Sequence, residues 1–130
     1  MDIFFLTLEE VLIIHQDQIE NYGGSFGIRD KNLLISAISQ PKITFKGSFL
    51  HKNLYEMAAS YLFHIIQNHS FIDGNKRTGL VSALMFLELN NVEFDEKDEV
   101  IEKMVLNIAK GKITKSKITA WLKKKSTTFI

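Results

Sequence analysis

Apolar residues recur along this 130-residue chain at spacings of three and four, and the strict alternation that marks half-buried strands is nearly absent. The first stripe runs through Leu8, Val11, Leu12 and Ile19. Thr7 and Glu10 stand ahead of it in capping-box spacing, and Gly23 and Gly24 close it, so a helix with both ends marked is predicted. Asp30 is placed to cap a shorter helix carrying Leu33, Leu34, Ala37 and Ile38, with Pro41 as its stop. The segment "KITFKGSF" is β-prone and glycine-punctuated, which predicts an extended loop or a small hairpin.

Leu54, Met57, Ala58, Tyr61, Leu62, Ile65 and Ile66 share one face of a core helix. A later run with Leu80, Val81, Ala83, Leu84, Phe86 and Leu87 is apolar almost all round, as suits a helix surrounded by others. Between the two lies "HSFIDGNKRTG", His69 to Gly79, on a turn. After a turn region at "NNVEFDEKDE", the positions Val100, Ile101, Met104, Val105 and Ile108 mark another amphipathic helix. Thr114 can cap a last one through Ile118, Trp121 and Leu122. With one proline and no internal repeat, the expected class is all-α: a compact helical bundle with short connections, residues 1–130 forming a single domain.

Composition narrows the functional classes. A chain of 130 residues that is 45% hydrophobic can bury roughly two-thirds of its unfolded surface around one core. Its net charge of +1 makes no general case for nucleic acid or an anionic membrane, so any partner must be recognised locally. The absence of cysteine excludes disulfides and thiolate metal sites and is compatible with a reducing compartment. The start "MDIFFLTLEE" lacks the charge and length of a signal peptide, and no run reaches the ~18 apolar residues of a membrane span. A cytoplasmic, soluble protein is expected.

The turn at His69–Gly79 concentrates chemistry. A helix beginning near Asn75 or Lys76 leaves its first N–H groups free for an anion, and Gly74 leaves the approach open. Lys76 and Arg77 add two cations where the helix dipole disfavours them, a conflict that a bound phosphate chain would resolve. Arg77 offers a planar fork and Lys76 a mobile point charge, each charge-assisted hydrogen bond contributing about 1.5–3 kcal/mol. Asp73 would repel phosphate unless a hard cation such as Mg²⁺ stood between them. The imidazole of His69 is the side-chain type suited to act as a general base near neutrality. Singly, these residues have ordinary structural readings; together they describe nucleotide-dependent group transfer to a hydroxyl.

"HSFIDGNKRTG" resembles the signature of the Fic/Doc superfamily, and Lys76 in place of a glycine points to its Doc branch. "YGGSFGIRDKNLLISAISQPKITFKG" is similar to the matching Doc segment, and the helix order agrees over nearly the whole chain. The resemblance implies that His69 is the general base for a serine or threonine hydroxyl and that Asp73 holds Mg²⁺. Gly74 and Asn75 would line the phosphate cradle with backbone and amide donors, and Lys76 and Arg77 would bind the phosphates of ATP.

Many Fic enzymes transfer AMP and carry a glycine where this chain has Lys76 and a second arginine where it has Leu80. The Doc pattern implies instead a toxin kinase that moves the γ-phosphate to elongation factor Tu and so blocks translation, restrained by a Phd-like antitoxin. "KITFKG" would be a flap that pairs with the target segment, or a plain surface loop. Two other activities stand beside this one. One is AMP transfer to a protein hydroxyl. The other is an RNA-binding or RNA-cleaving toxin, suggested by the lysine-rich end "KGKITKSKITAWLKKK". Ile113, Ile118, Trp121 and Leu122 interrupt those lysines at helical spacing, so a solvated face is expected there and no direct nucleic-acid binding. A silent binding module on the same fold is the third alternative.

Overall fold

The computed structural model describes residues 2–129. The all-α expectation holds. Helix α1 (Leu8–Tyr22) begins at the capping box: the Thr7 hydroxyl accepts the Glu10 N–H at 3.1 Å and the Glu10 carboxylate accepts the Thr7 N–H at 2.9 Å. Helix α2 (Lys31–Ser39) starts at Asp30, whose Oδ1 accepts the Leu33 N–H at 3.0 Å. Pro41 does not end the coil at once, because proline is tolerated in a first turn; a 3₁₀ turn, Gln40–Lys42, follows directly.

"KITFKGSF" forms the hairpin, one of its two predicted readings. Strands β1 (Thr44–Phe45) and β2 (Ser48–Phe49) pair antiparallel across Lys46 and Gly47, both at positive φ (53° and 81°), as a tight two-residue hairpin turn requires.

Helix α3 (Leu54–Asn68) is the axis of the molecule and packs against α2 and the three later helices. Met57, Leu62, Ile65 and Ile66 are buried on it, each such burial contributing about 1.5–3 kcal/mol. Tyr61 is also fully buried; its oxygen accepts the Leu6 N–H at 2.9 Å, and burial pushes its pKa to about 12. Helix α4 (Asn75–Leu89) lies close along α3 at Gly79, where a Cβ would come within 3.0 Å of Ile66 Cγ1 and 3.3 Å of the Leu62 carbonyl. That contact sets the spacing of the two helices that carry the turn.

The segment from Asn90 departs from the predicted simple turn. Strand β3 (Val92–Phe94) leads into α5 (Asp98–Ala109) and α6 (Lys115–Lys124), and β4 (Ser126–Thr128) returns to pair antiparallel with β3, Val92 opposite Thr128. Three-residue strands so far apart in sequence leave no local alternation to read. Ile118 and Leu122 of α6 are buried, and the Trp121 indole donates to Glu96 at 3.1 Å, while Lys117, Lys123 and Lys124 face outward. Among the described residues no helix is long and apolar enough to cross a membrane.

Candidate active site

Helix α3 ends at Asn68, and His69 caps it in the left-handed conformation (φ 47°, ψ 47°), which costs a non-glycine residue about 1–2 kcal/mol. The neighbouring chain holds it there. Arg29 Nε donates to the His69 carbonyl at 2.6 Å and its Nη2 to the Asn68 carbonyl at 3.1 Å, a cation placed on the negative end of α3. The backbone N–H groups of Arg29 and Asp30 both donate to the Ser70 carbonyl (2.7 and 3.0 Å), Ile28 bridges Phe71, and the Ile72 N–H donates to Gly27 (3.1 Å). Residues 27–30 thus run beside 69–72 as a main-chain brace. The His69 imidazole is left exposed.

The loop then folds over a buried ring. Phe71 is 1% exposed and stacks on His15 of α1, with centroids 3.8 Å apart and planes within 6°. Asn75 closes the turn: its Oδ1 accepts the Phe71 N–H at 3.0 Å and its Nδ2 donates to the Phe71 carbonyl at 2.9 Å. The amide expected to face phosphate is therefore engaged inside the loop. What remains for an anion is backbone, because Gly74 at φ 79° starts α4 without any side-chain cap on its first N–H groups.

Asp73 is exposed, and its carboxylate is oriented by two N–H donors, Gly74 to Oδ1 at 2.8 Å and Ser25 to Oδ2 at 3.2 Å. These two bonds, with the nearby charges of Arg77 and Lys76, hold it below the usual carboxylate range, so it is an anion at neutral pH. Gly24 (φ 117°) is needed at this point, since a Cβ there would lie 2.7 Å from Asp73 Oδ2.

Lys76 is exposed, whereas the Arg77 guanidinium donates to the carbonyls of Gln18 (3.3 Å) and Gly23 (2.8 Å) at the C-terminal end of α1. The crowding of cations at the start of α4 is thus partly relieved within the chain: Arg77 serves the negative end of one helix while sitting on the positive end of another. Beyond it an apolar groove of about 340 Å³, lined by Leu80, Ile101, Val105 and Leu106, runs between α4 and α5. A cavity of about 600 Å³ lies elsewhere, between the N-terminal segment and the hairpin, and is lined by none of the turn residues.

The structure places His69, Asp73 and Gly74 on the short connection between α3 and α4, and Asn75, Lys76 and Arg77 in the first turn of α4 that follows it. Sequence reasoning left out its supports. His15 of α1 donates from Nε2 to the Asp73 carbonyl at 2.8 Å. Its position four residues from both Val11 and Ile19, inside the apolar stripe of α1, was the available signal. Arg29 and Ser25 carried no such signal, because the Arg29 guanidinium meets main-chain carbonyls and Ser25 acts through its own N–H, both on a segment distant in sequence. Among the described residues no three histidine or carboxylate groups converge as a metal cage; Asp73 is the one carboxylate this turn offers a cation.

An imidazole, a lone carboxylate and an uncapped helix start joined by so short a loop define a class, and comparison with known proteins gives it a name. The Fic/DOC family model matches residues 5–87, and the chain belongs to that family. Within it the likeness is to the Doc branch. Over 121 residues, 92% of this chain and 93% of the relative, it is 31% identical to a protein of Escherichia phage P1 named "Protein kinase doc". A 72-residue stretch is 38% identical to a "Toxin Doc" of Mycolicibacterium smegmatis, covering 55% of each chain.

Proposed function

We propose that this chain is a Doc-type toxin and a protein kinase, moving the γ-phosphate of ATP to a serine or threonine hydroxyl of a protein of the translation machinery, with elongation factor Tu as the expected target. The observation that carries this reading is the joining of an exposed imidazole, an oriented carboxylate and an uncapped helix N-terminus by one braced loop. The name of the phage relative, aligned over nearly the full chain, points to the same chemistry.

In this reading the His69 imidazole takes the hydroxyl proton as the oxygen attacks the γ-phosphorus. The bond from that phosphorus to the bridging β,γ-oxygen breaks, and ADP leaves. The backbone N–H groups at the start of α4 and the Lys76 ammonium hold the phosphates in line, and Arg77 adds the donors that α1 leaves free. Mg²⁺ would neutralise charge on the transferring phosphoryl group. Asp73 fits it, being exposed and anionic, with one N–H partner on each oxygen and lone pairs to spare, as an ion that takes few protein ligands requires. The β1–β2 hairpin, exposed along its length, would pair with the target segment. The protein would act in the cytoplasm and be neutralised by a Phd-like antitoxin.

Incubation with elongation factor Tu and ATP labelled at the γ- or the α-phosphate tests this. Label transferred from the γ position supports the kinase. Label arriving only from the α position makes the protein an AMP transferase. No transfer from either, together with RNA cleavage that survives loss of His69, would favour the ribonuclease reading.

A further inference from the structure

His15 is 5% exposed, carries a polar ring in an apolar stripe, and has no part in the chemistry described above. Its surroundings give it one. The ring is clamped against Phe71, and Nε2 lies 2.8 Å from the Asp73 carbonyl. A carbonyl oxygen only accepts, so Nε2 bears the hydrogen. That carbonyl belongs to the same planar peptide as the Gly74 N–H, which donates to Asp73 Oδ1 at 2.8 Å. Fixing the oxygen edge of this peptide therefore fixes its N–H edge, and with it the direction of the carboxylate. The next carbonyl, that of Gly74, accepts the Thr78 N–H at 2.9 Å and opens α4.

We propose that His15 is a positioning residue: through the Asp73–Gly74 peptide it aims the Asp73 carboxylate and the first N–H groups of α4 at a nucleotide with its metal ion. This rests on the nucleotide-dependent function proposed above. It also gives α1 a role beyond packing, since the same helix receives Arg77 through Gln18 and Gly23.

Two substitutions separate hydrogen bonding from filling space. His15→Phe keeps the ring on Phe71 and removes the donor; His15→Gln keeps a donor at the reach of Nε2 and removes the ring. Each is compared with wild type by circular dichroism, by the backbone amide NMR frequencies of Gly74 and Asn75 in the free protein, and by calorimetry of ATP with and without Mg²⁺. The expected result is a folded Phe variant with displaced Gly74 and Asn75 signals. It should bind ATP–Mg²⁺ roughly tenfold more weakly and ATP alone more weakly by a smaller factor, while the Gln variant stays within about threefold of wild type in both. The reverse ranking, Phe unchanged and Gln impaired, would mean that the ring only fills space and would overturn the inference. Should the Phe variant not fold, the Gln variant decides: wild-type amide frequencies support the role and displaced ones refute it. Failure of the wild type to bind ATP would sink the proposed function, yet the amide frequencies of the free variants would still decide the role of His15.

Discussion

Two histidines five residues apart show how differently one helix can use the same side chain. His69 ends α3, with a strained backbone held by Arg29 and an imidazole left to solvent. His64 lies more than a turn earlier, half-buried, with Lys115 Nζ 3.0 Å from its Nε2. An ammonium only donates, so that nitrogen accepts and the ring is neutral. Burial first, then the charges of Lys115 and His51, push its pKa down to about 4. The comparison teaches that a base needs a lone pair free to meet substrate. In His64 it is already engaged, while at His69 the protein spends its hydrogen bonds on the main chain alone.

The sharpest test of this contrast is activity. His69→Ala should lower phosphoryl transfer by roughly 10²- to 10⁴-fold with an unchanged melting temperature, whereas His64→Gln should alter it less than about threefold. Equal losses in the two would erase the distinction. Next in size is the brace: Arg29→Ala removes both guanidinium bonds from the end of α3 and should cost about 1–2 kcal/mol in urea denaturation. Arg29→Lys should recover only part of it, because an ammonium lacks the planar fork.

Part of the pH dependence of stability should belong to His64. Its folded pKa, about 4, lies below the ordinary histidine value of 6.5, so the unfolded chain binds the proton more readily. The stability contributed by its neutral form is complete above that ordinary value and is lost as pH falls through the folded one. After allowance for partial exposure, a loss of about 1 kcal/mol that disappears in His64→Gln is expected from urea titrations across that range. The smallest effect is reserved for Ser70, whose buried hydroxyl has no partner among the described residues and whose carbonyl is what the brace engages. Ser70→Ala should change stability by no more than about 0.5 kcal/mol and leave transfer intact.

Helix content and caps were open to reading from the sequence because their signals are local: Thr7 with Glu10, Asp30 and Thr114 each meet an N–H three residues on. The turn residues were legible for the same reason, since they stand together in one short segment. What holds them was not. The brace from Gly27 to Asp30 reaches Ser70 and Ile72 through main-chain atoms, which every residue possesses, so side-chain identities do not announce it. The β3–β4 pair escaped for its brevity and separation. The direction of the Arg77 fork toward Gln18 and Gly23 depends on where α1 ends in space, which no spacing along the chain encodes.

The small β3–β4 sheet has a practical consequence. Helix α4, at 15 residues and 1.5 Å per residue, is about 22 Å long, with the His69–Gly74 loop at one end and Asn91, whose carbonyl accepts the Phe129 N–H at 2.8 Å, just beyond the other. A fluorophore or an immobilising tag attached beside Phe129 would stand about that far from His69 and the start of α4. Surface-coupled measurements of ligand capture can then be made from that end without crowding the imidazole.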